Sequence, residues 1–252
     1  MKSSSFPRRL GVCLVLAMLS VVSRAGDFDH SHAAWTRLLA QHVTNGIVHY
    51  SALKASPDAL RNYLATLAEV PETRFREWSR PQRLAFLLNL YNAATLQLIV
   101  DHHPVPSIRK IGGVLKGPWK QEIVHVWGRV LTLDTLEHGI LRPEYGEPRI
   151  HFALVCAAKG CPPLRGEAYV ADRLEAQLED QARAFLSQTS KNRVDAAAGI
   201  LWLSPIFDWY GGDFTAGGKS LPEFVSPFLP AVAERKSWKV KFTDYDWSLN
   251  GD

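Results

Sequence analysis

The chain has 252 residues, and its 29 Lys and Arg against 25 Asp and Glu give a formal net charge of +4. The first 25 residues hold four of the basic side chains and no acidic one, so the remaining 227 (252 − 25) balance 25 basic groups (29 − 4) against 25 acidic groups. A balanced surface does not favour nucleic-acid binding, and we expect no nucleic-acid partner.

The first 25 residues have the pattern of a secretory signal peptide. A basic start precedes the apolar run 10–22, and Ser23 and Ala25 place small residues at both recognition positions of a cleavage site. The apolar run is shorter than the roughly 18–20 residues that span a bilayer, so we expect no stable membrane insertion. The mature protein is expected to begin near Gly26, to be periplasmic or secreted, and to form a single domain over 26–252.

Helical periodicity dominates the next part of the chain. A serine and a proline predict the start of a helix, with apolar residues repeating over 60–67. A longer helix is predicted from about residue 80 to 101, and it is apolar on all sides, as is typical of a buried central helix. Asn89 and Asn92 are polar exceptions inside it, which either tie the helix to its neighbours or line a cleft.

Strands are predicted to follow. Residues 122–127 and 130–133 flank Gly128-Arg129, a two-residue turn with glycine first, which predicts a hairpin. Residues 134–137 have the pattern of a capping box that opens a short helix through residue 141. The apolar run 150–155 is predicted to be a buried strand.

The last third continues this mixture. An amphipathic helix is predicted over 173–186, a second hairpin around Ala198-Gly199 with its return strand at 200–203, and a final strand at 239–242. Helices dominate early and strands appear later without a βαβ alternation, so the fold class is α+β. We expect one compact domain with a central buried helix packed on a mostly antiparallel sheet.

The most informative segment is the run from Ile150 to the prolines at 162–163. Cys156 ends the apolar run, and a loop broken by Gly160 separates it from Cys161. Loops held by a rigid scaffold are common places for chemistry. We therefore predict that Cys156 is positioned to react.

A nucleophilic cysteine needs a base and a group that orients the base. His138 and His151 are the candidate bases, and Glu137 is the candidate orienting group, which would reach His151 more easily than its own neighbour. Each residue also has a structural interpretation: Glu137 as a helix cap, either histidine as an ordinary helix or core residue, and Cys156 as a small buried side chain.

The two cysteines leave other possibilities open. An even pair in an exported protein suggests a disulfide, although a loop with four intervening residues gives little entropic stabilisation. Cys161, followed by prolines, is a competing nucleophile if it lies at a helix N-terminus. The Cys-x₄-Cys spacing and the absence of a paired His-x₃₋₅-His argue against zinc, so no metal and no other cofactor is expected.

Several separated motifs, in order, resemble the family catalogued as domain of unknown function 547. They are AFLLNLYNA (85–93), LEHGILR (136–142), RIHFALVCAAKGCPP (149–163), SPIFDWY (204–210) and YDWSLN (245–250), so that the resemblance covers roughly 28–250. The resemblance implies a papain-like or transglutaminase-like α+β fold. It also implies a Glu-His-Cys site drawn from Glu137, His138 or His151, and Cys156.

Two functions are consistent with these residues. The first is an exported thiol-dependent hydrolase or transferase that acts on amide bonds of a peptide or another amide-containing substrate. The second is a non-enzymatic exported binding module in which the same residues line a degenerate groove. The sequence does not identify the substrate.

Overall fold

The protein is described by a computed structural model covering residues 28–113 and 116–252. The predicted signal peptide therefore lies outside the described residues. The helices are α1 (Ala33–His42), α2 (Tyr50–Ala55), α3 (Asp58–Ala68), α4 (Glu72–Glu77), α5 (Arg80–His102), α6 (Arg142–Tyr145), α7 (Ile150–Ala153), α8 (Leu174–Leu186), α9 (Ile206–Trp209), α10 (Gly211–Phe214) and α11 (Leu221–Val225), with a π-helix at Thr135–Leu141. The strands are β1 (Val43–Thr44), β2 (Ile47–Val48), β3 (Glu122–Val126), β4 (Arg129–Thr132), β5 (Arg193–Asp195), β6 (Ile200–Leu203) and β7 (Lys239–Phe242).

Helix α5 is the centre of the fold, as predicted. Ser79 caps it through a reciprocal pair of hydrogen bonds with Gln82, and a proline occupies its first turn, where no backbone donor is required. The helix is long and apolar enough to cross a membrane, but 89% of its most apolar 18-residue stretch is buried inside the protein. A helix that is apolar all round and covered by its own chain is a core helix.

The α+β class is confirmed, but the strands form three small sheets instead of one. The β1–β2 and β3–β4 pairs are antiparallel hairpins, and the third sheet has the order β5-β6-β7. In this sheet β5–β6 is antiparallel and β6–β7 is parallel. The predicted elements at 173–186, 200–203 and 239–242 are present to within a residue.

Two local predictions were wrong. The predicted hairpin, formed by β3 and β4, turns at Trp127-Gly128, not at Gly128-Arg129. Both turn residues have positive φ (55° and 67°), which matches the twist of the flanking strands. The predicted strand at 150–155 is instead the short helix α7, followed by extended chain from Leu154. A short apolar run does not distinguish a buried strand from a buried helical turn, and here the Leu154 amide closes a helical turn by donating to Ile150 O at 2.9 Å.

Asn89 and Asn92 tie α5 to its neighbours by pairing their amides with backbone. The Asn92 Nδ2 donates to Ala153 O (3.0 Å), and the Val155 amide donates to Asn92 Oδ1 (3.0 Å). Asn89 makes the same two bonds with Tyr169, at 2.8 and 3.0 Å. The Asn92 side chain takes the place of the strand neighbour that the segment before Cys156 does not have.

We expect Asn92→Ala and Asn89→Ala to lower the free energy of unfolding by similar amounts, about 2–4 kcal/mol each, because each leaves a buried donor and acceptor unpaired. Urea unfolding measures this. Only Asn92 holds the chain directly before Cys156, so only Asn92→Ala should also change the rate at which a thiol probe labels the reduced cysteine. Equal labelling rates in both variants would contradict a positioning role.

Candidate functional site

The predicted site residues line one cavity of about 500 Å³. The described part of the chain has two hydrophobic core clusters, and Tyr245, which lines the cavity, packs against both of them. The walls come from several elements: Tyr91, Gly117, Trp119, Lys120, Asp134, Glu137, His138, His151, Leu154, Cys156, Cys161, Pro162, Ile206, Trp209, Tyr210, Tyr245 and Trp247.

His151 is fixed by a carboxylate that the sequence did not identify as its partner. Its Nε2 lies 2.7 Å from Asp213 Oδ2, and the Tyr210 ring stacks on the imidazole at 3.8 Å. Arg142 holds Asp213 through two hydrogen bonds of 2.7 and 2.9 Å. The orientation of the imidazole is therefore set by an ion-paired carboxylate on one edge and an aromatic face.

The pKa shifts of Asp213 and His151 define the protonation of these two side chains. The hydrogen bonds from Arg142 lower the pKa of Asp213 to about 2, so its carboxylate is ionised. Burial lowers the pKa of His151, and this outweighs the opposite effect of Asp213. The imidazole is therefore neutral, with its proton on Nε2 facing Asp213, which leaves the lone pair on Nδ1.

Glu137 is not a helix cap. It lies in the π-helix Thr135–Leu141, a form that is rare and frequent at functional sites. Its side chain turns into the cavity, where Tyr91 donates a hydrogen bond at 3.0 Å and Tyr210 lies close to the carboxylate. Burial, followed by the charge of Glu137, raises the pKa of both tyrosines, so both remain neutral donors.

The structure separates the two candidate histidines. Glu137 Oε1 lies 4.0 Å from His151 Nδ1, so these two residues are neighbours without a hydrogen bond. His138 is 39% exposed in its side chain and contacts Arg142 (2.9 Å) and Asp134 (3.9 Å). His138 borders the cavity but belongs to its rim.

Cys156 and Cys161 are joined by a disulfide, with their Cα atoms 6.2 Å apart. The Tyr245 hydroxyl lies against both sulfurs, 3.2 Å from Cys156 Sγ and 3.1 Å from Cys161 Sγ. Ala157, directly after Cys156, has a φ of 57°, in the left-handed region that a residue with a Cβ rarely adopts. Such backbone strain is concentrated at functional sites and persists only where the surroundings impose it.

The C-terminal segment imposes this conformation. Lys159 and Gly160 donate backbone hydrogen bonds to residues 248 and 246 (both 2.8 Å), and Asn250 donates to Ala157 O at 3.1 Å. A side chain at Gly160 would meet the Tyr245 ring at 2.8 Å. The loop is therefore fixed between the disulfide and the C-terminal segment, and its Lys159 and Gly160 amides are already bonded.

The sequence did not assign Asp213, Arg142 or Tyr245 to the site. The available signal was the motif at 204–210 and the motif at 245–250, which contain aromatic residues beside acidic ones and resemble the family as strongly as the cysteine segment does. Over the described ranges 28–113 and 116–252, no group of three or more His, Cys, Asp or Glu could hold a metal ion.

Comparison with known families gives one match. Residues 75–186 match the family model described as a protein of unknown function, DUF547. Residues 75–186 are therefore similar to the DUF547 family. The match includes Glu137, His138, His151 and Cys156, whereas Asp213 and Tyr245 lie beyond it.

The DUF547 match covers a shorter range than the resemblance over 28–250. The cavity is lined by residues inside the matched range and by residues after it. No curated protein and no solved structure matches the chain. The α+β class stands on the fold itself, and the papain-like or transglutaminase-like architecture stays a prediction.

Proposed function

We propose that the cavity is the active site of a thiol-dependent enzyme that hydrolyses or transfers amide bonds. The observation that carries the proposal is the pairing of a neutral, buried imidazole, fixed through Nε2 by Asp213, with a cysteine sulfur in the same cavity. A nucleophile, a base and a group that orients the base are the components of covalent acyl transfer.

The proposed reaction begins from the reduced protein. Release of Cys156 from Cys161 frees its side chain to rotate toward His151, whose Nδ1 accepts the thiol proton. The thiolate attacks the substrate carbonyl, an S–C bond forms, and the C–N bond breaks as the protonated imidazole returns its proton to the leaving amine. Water or a second amine then attacks the thioester, which releases the acyl group and restores the thiol.

Two donors lie beside the reacting sulfur. Burial raises the pKa of the Tyr245 hydroxyl, so it stays protonated and can donate to a thiolate or a developing oxyanion. The Cys156 amide donates to Cys161 Sγ at 2.9 Å in the disulfide form, and it becomes available when that sulfur moves. We propose these two donors because the Lys159 and Gly160 amides are already bonded to the C-terminal segment.

The orienting role is assigned to Asp213 rather than to Glu137, and paired variants test this. We expect Asp213→Asn to lower the second-order rate of thiol labelling and of turnover by about 10²–10⁴-fold, because the wrong imidazole tautomer is then favoured. Glu137→Gln keeps an oxygen acceptor for Tyr91 and should cost less than about tenfold.

The direction in which the reaction rate changes with pH follows from the pKa of His151. Because burial lowers the pKa of His151, its basic form persists as the pH falls below the usual value of 6.5. The rate should therefore stay constant through mildly acidic pH and fall only below it.

For the paired variants, a larger loss of turnover in Glu137→Gln than in Asp213→Asn would return the orienting role to Glu137.

A second candidate function, a non-enzymatic binding module, is favoured by the aromatic wall of the cavity. Trp209 is 47% exposed there and stacks with Trp247 at 5.7 Å. The two functions differ in the cysteine: an enzyme requires fast labelling of Cys156 by a thiol probe in the folded, reduced protein at neutral pH. Slow labelling that follows unfolding would favour the binding module. Incubation of the reduced protein with a peptide library and with cell-wall peptides, followed by mass spectrometry, tests for turnover.

A further inference from the structure

The mouth of the cavity carries indole rings that the proposed reaction does not use. Trp119 meets Trp247 edge to face at 5.9 Å, and Trp247 lies 4.5 Å from Tyr245. Together with Trp209 these rings border one opening. Indole faces that are left open to solvent beside a cavity are suited to stacking on a flat or apolar group of a ligand.

Unpaired positive charge lies beside these rings. The Arg109 guanidinium lies 5.1 Å from the centre of the Trp247 ring, and Lys120 follows Trp119 and lines the cavity. Residues 103–121 contain four Lys and Arg and no Asp or Glu. Neither Arg109 nor Lys120 forms an ion pair within the part of the chain that the structure describes.

The acidic groups of the cavity do not neutralise this charge, because they have nearer partners. Asp213 is held by Arg142, and Glu137 accepts a hydrogen bond from Tyr91. Asp134 lies 3.9 Å from His138. The Arg109 and Lys120 side of the opening is therefore left to attract an anion from solution.

We propose that the substrates are peptides that carry a free carboxylate close to the scissile amide and an apolar or aromatic side chain beside it. Lys120 and Arg109 bind the carboxylate, and the indoles of Trp119 and Trp247 stack on the side chain. This rests on the proposed amide chemistry for the choice of a peptide, whereas the preference for a carboxylate rests on the rim alone.

The test compares two probes that differ only in charge. N-acetyl-L-phenylalanine and N-acetyl-L-phenylalaninamide are titrated by calorimetry into the Cys156→Ser protein, which forms no Cys156–Cys161 disulfide and lacks the proposed nucleophile. We expect the carboxylate to bind about fivefold more tightly, as two partly exposed ion pairs provide, and we expect added salt to reduce the difference. The Arg109→Ala, Lys120→Ala double variant should bind both probes equally. Lys110→Ala, on the same short turn as Arg109, should not change the preference, because of these two residues it is Arg109 that packs over the Trp247 ring.

The outcomes separate this inference from the proposed enzyme. Equal affinities for the two probes, or no measurable binding of either, would overturn the carboxylate preference while leaving Cys156 reactivity untouched. A carboxylate preference together with an unreactive Cys156 in the reduced wild-type protein would keep the ligand class and remove the enzyme.

Discussion

Replacing Cys156 by alanine is expected to abolish turnover, with a loss of at least about 10³-fold, because a covalent mechanism has no pathway without its nucleophile. The same change should cost little stability in the reduced protein. Cys156 is only partly buried, and its loop keeps its backbone hydrogen bonds to the C-terminal segment. Activity assays and thermal melts under reducing conditions measure the two effects separately.

The matched control is Cys161→Ala. It removes the other sulfur of the same disulfide and leaves Cys156 with the Tyr245 hydroxyl beside it. It should keep turnover within about tenfold of the reduced wild-type rate, because Cys161 takes no part in bond making. If Cys156→Ala retains full turnover and Cys161→Ala does not, the nucleophile is Cys161.

The large elements of the fold could be predicted because their patterns are local. The helix α5 has an apolar surface on every side, a capping serine and a proline in its first turn, so its bounds follow from the sequence within a residue or two. The segment at 150–155 could not be assigned correctly, because its structure depends on a partner far along the chain. Asn92 supplies the hydrogen bonds that a neighbouring strand would otherwise provide, and nothing near residue 150 indicates this.

The site was predictable in part for the same reason. Glu137, His151 and Cys156 lie within 20 residues of one another in the sequence, and the structure does bring them to one cavity. Asp213 lies 62 residues from His151 and reaches it only through the packing of α7 against the short helix α10. Glu137 fitted a capping box, but Thr132 is the residue whose hydroxyl accepts from the Thr135 amide, and the π-helix turns the carboxylate inward.

Oxidation is expected to switch the proposed activity off. In the disulfide form Cys156 has no thiol to donate a proton or attack a carbonyl, so turnover should require a reductant such as dithiothreitol, whose two electrons and two protons convert the disulfide into two thiols. The wild-type protein purified under oxidising conditions should show less than about one hundredth of its reduced rate. Cys161→Ala cannot close this bond, so its activity should not depend on reductant unless Cys156 is oxidised further.

The stability of the reduced protein decides whether the bond is a switch or a support. So short a loop gives about 2 kcal/mol by the chain-entropy relation, and the loop is also held by backbone bonds to residues 246–250 and by Asn92. Reduction should therefore lower the melting temperature by only a few degrees, on the order of 4–8 °C. Thiol titration with and without reductant measures the number of free thiols. Two thiols should become titratable on reduction, together with the appearance of activity. If both thiols are free after oxidation there is no switch, and if reduction melts the protein at assay temperature the disulfide is structural.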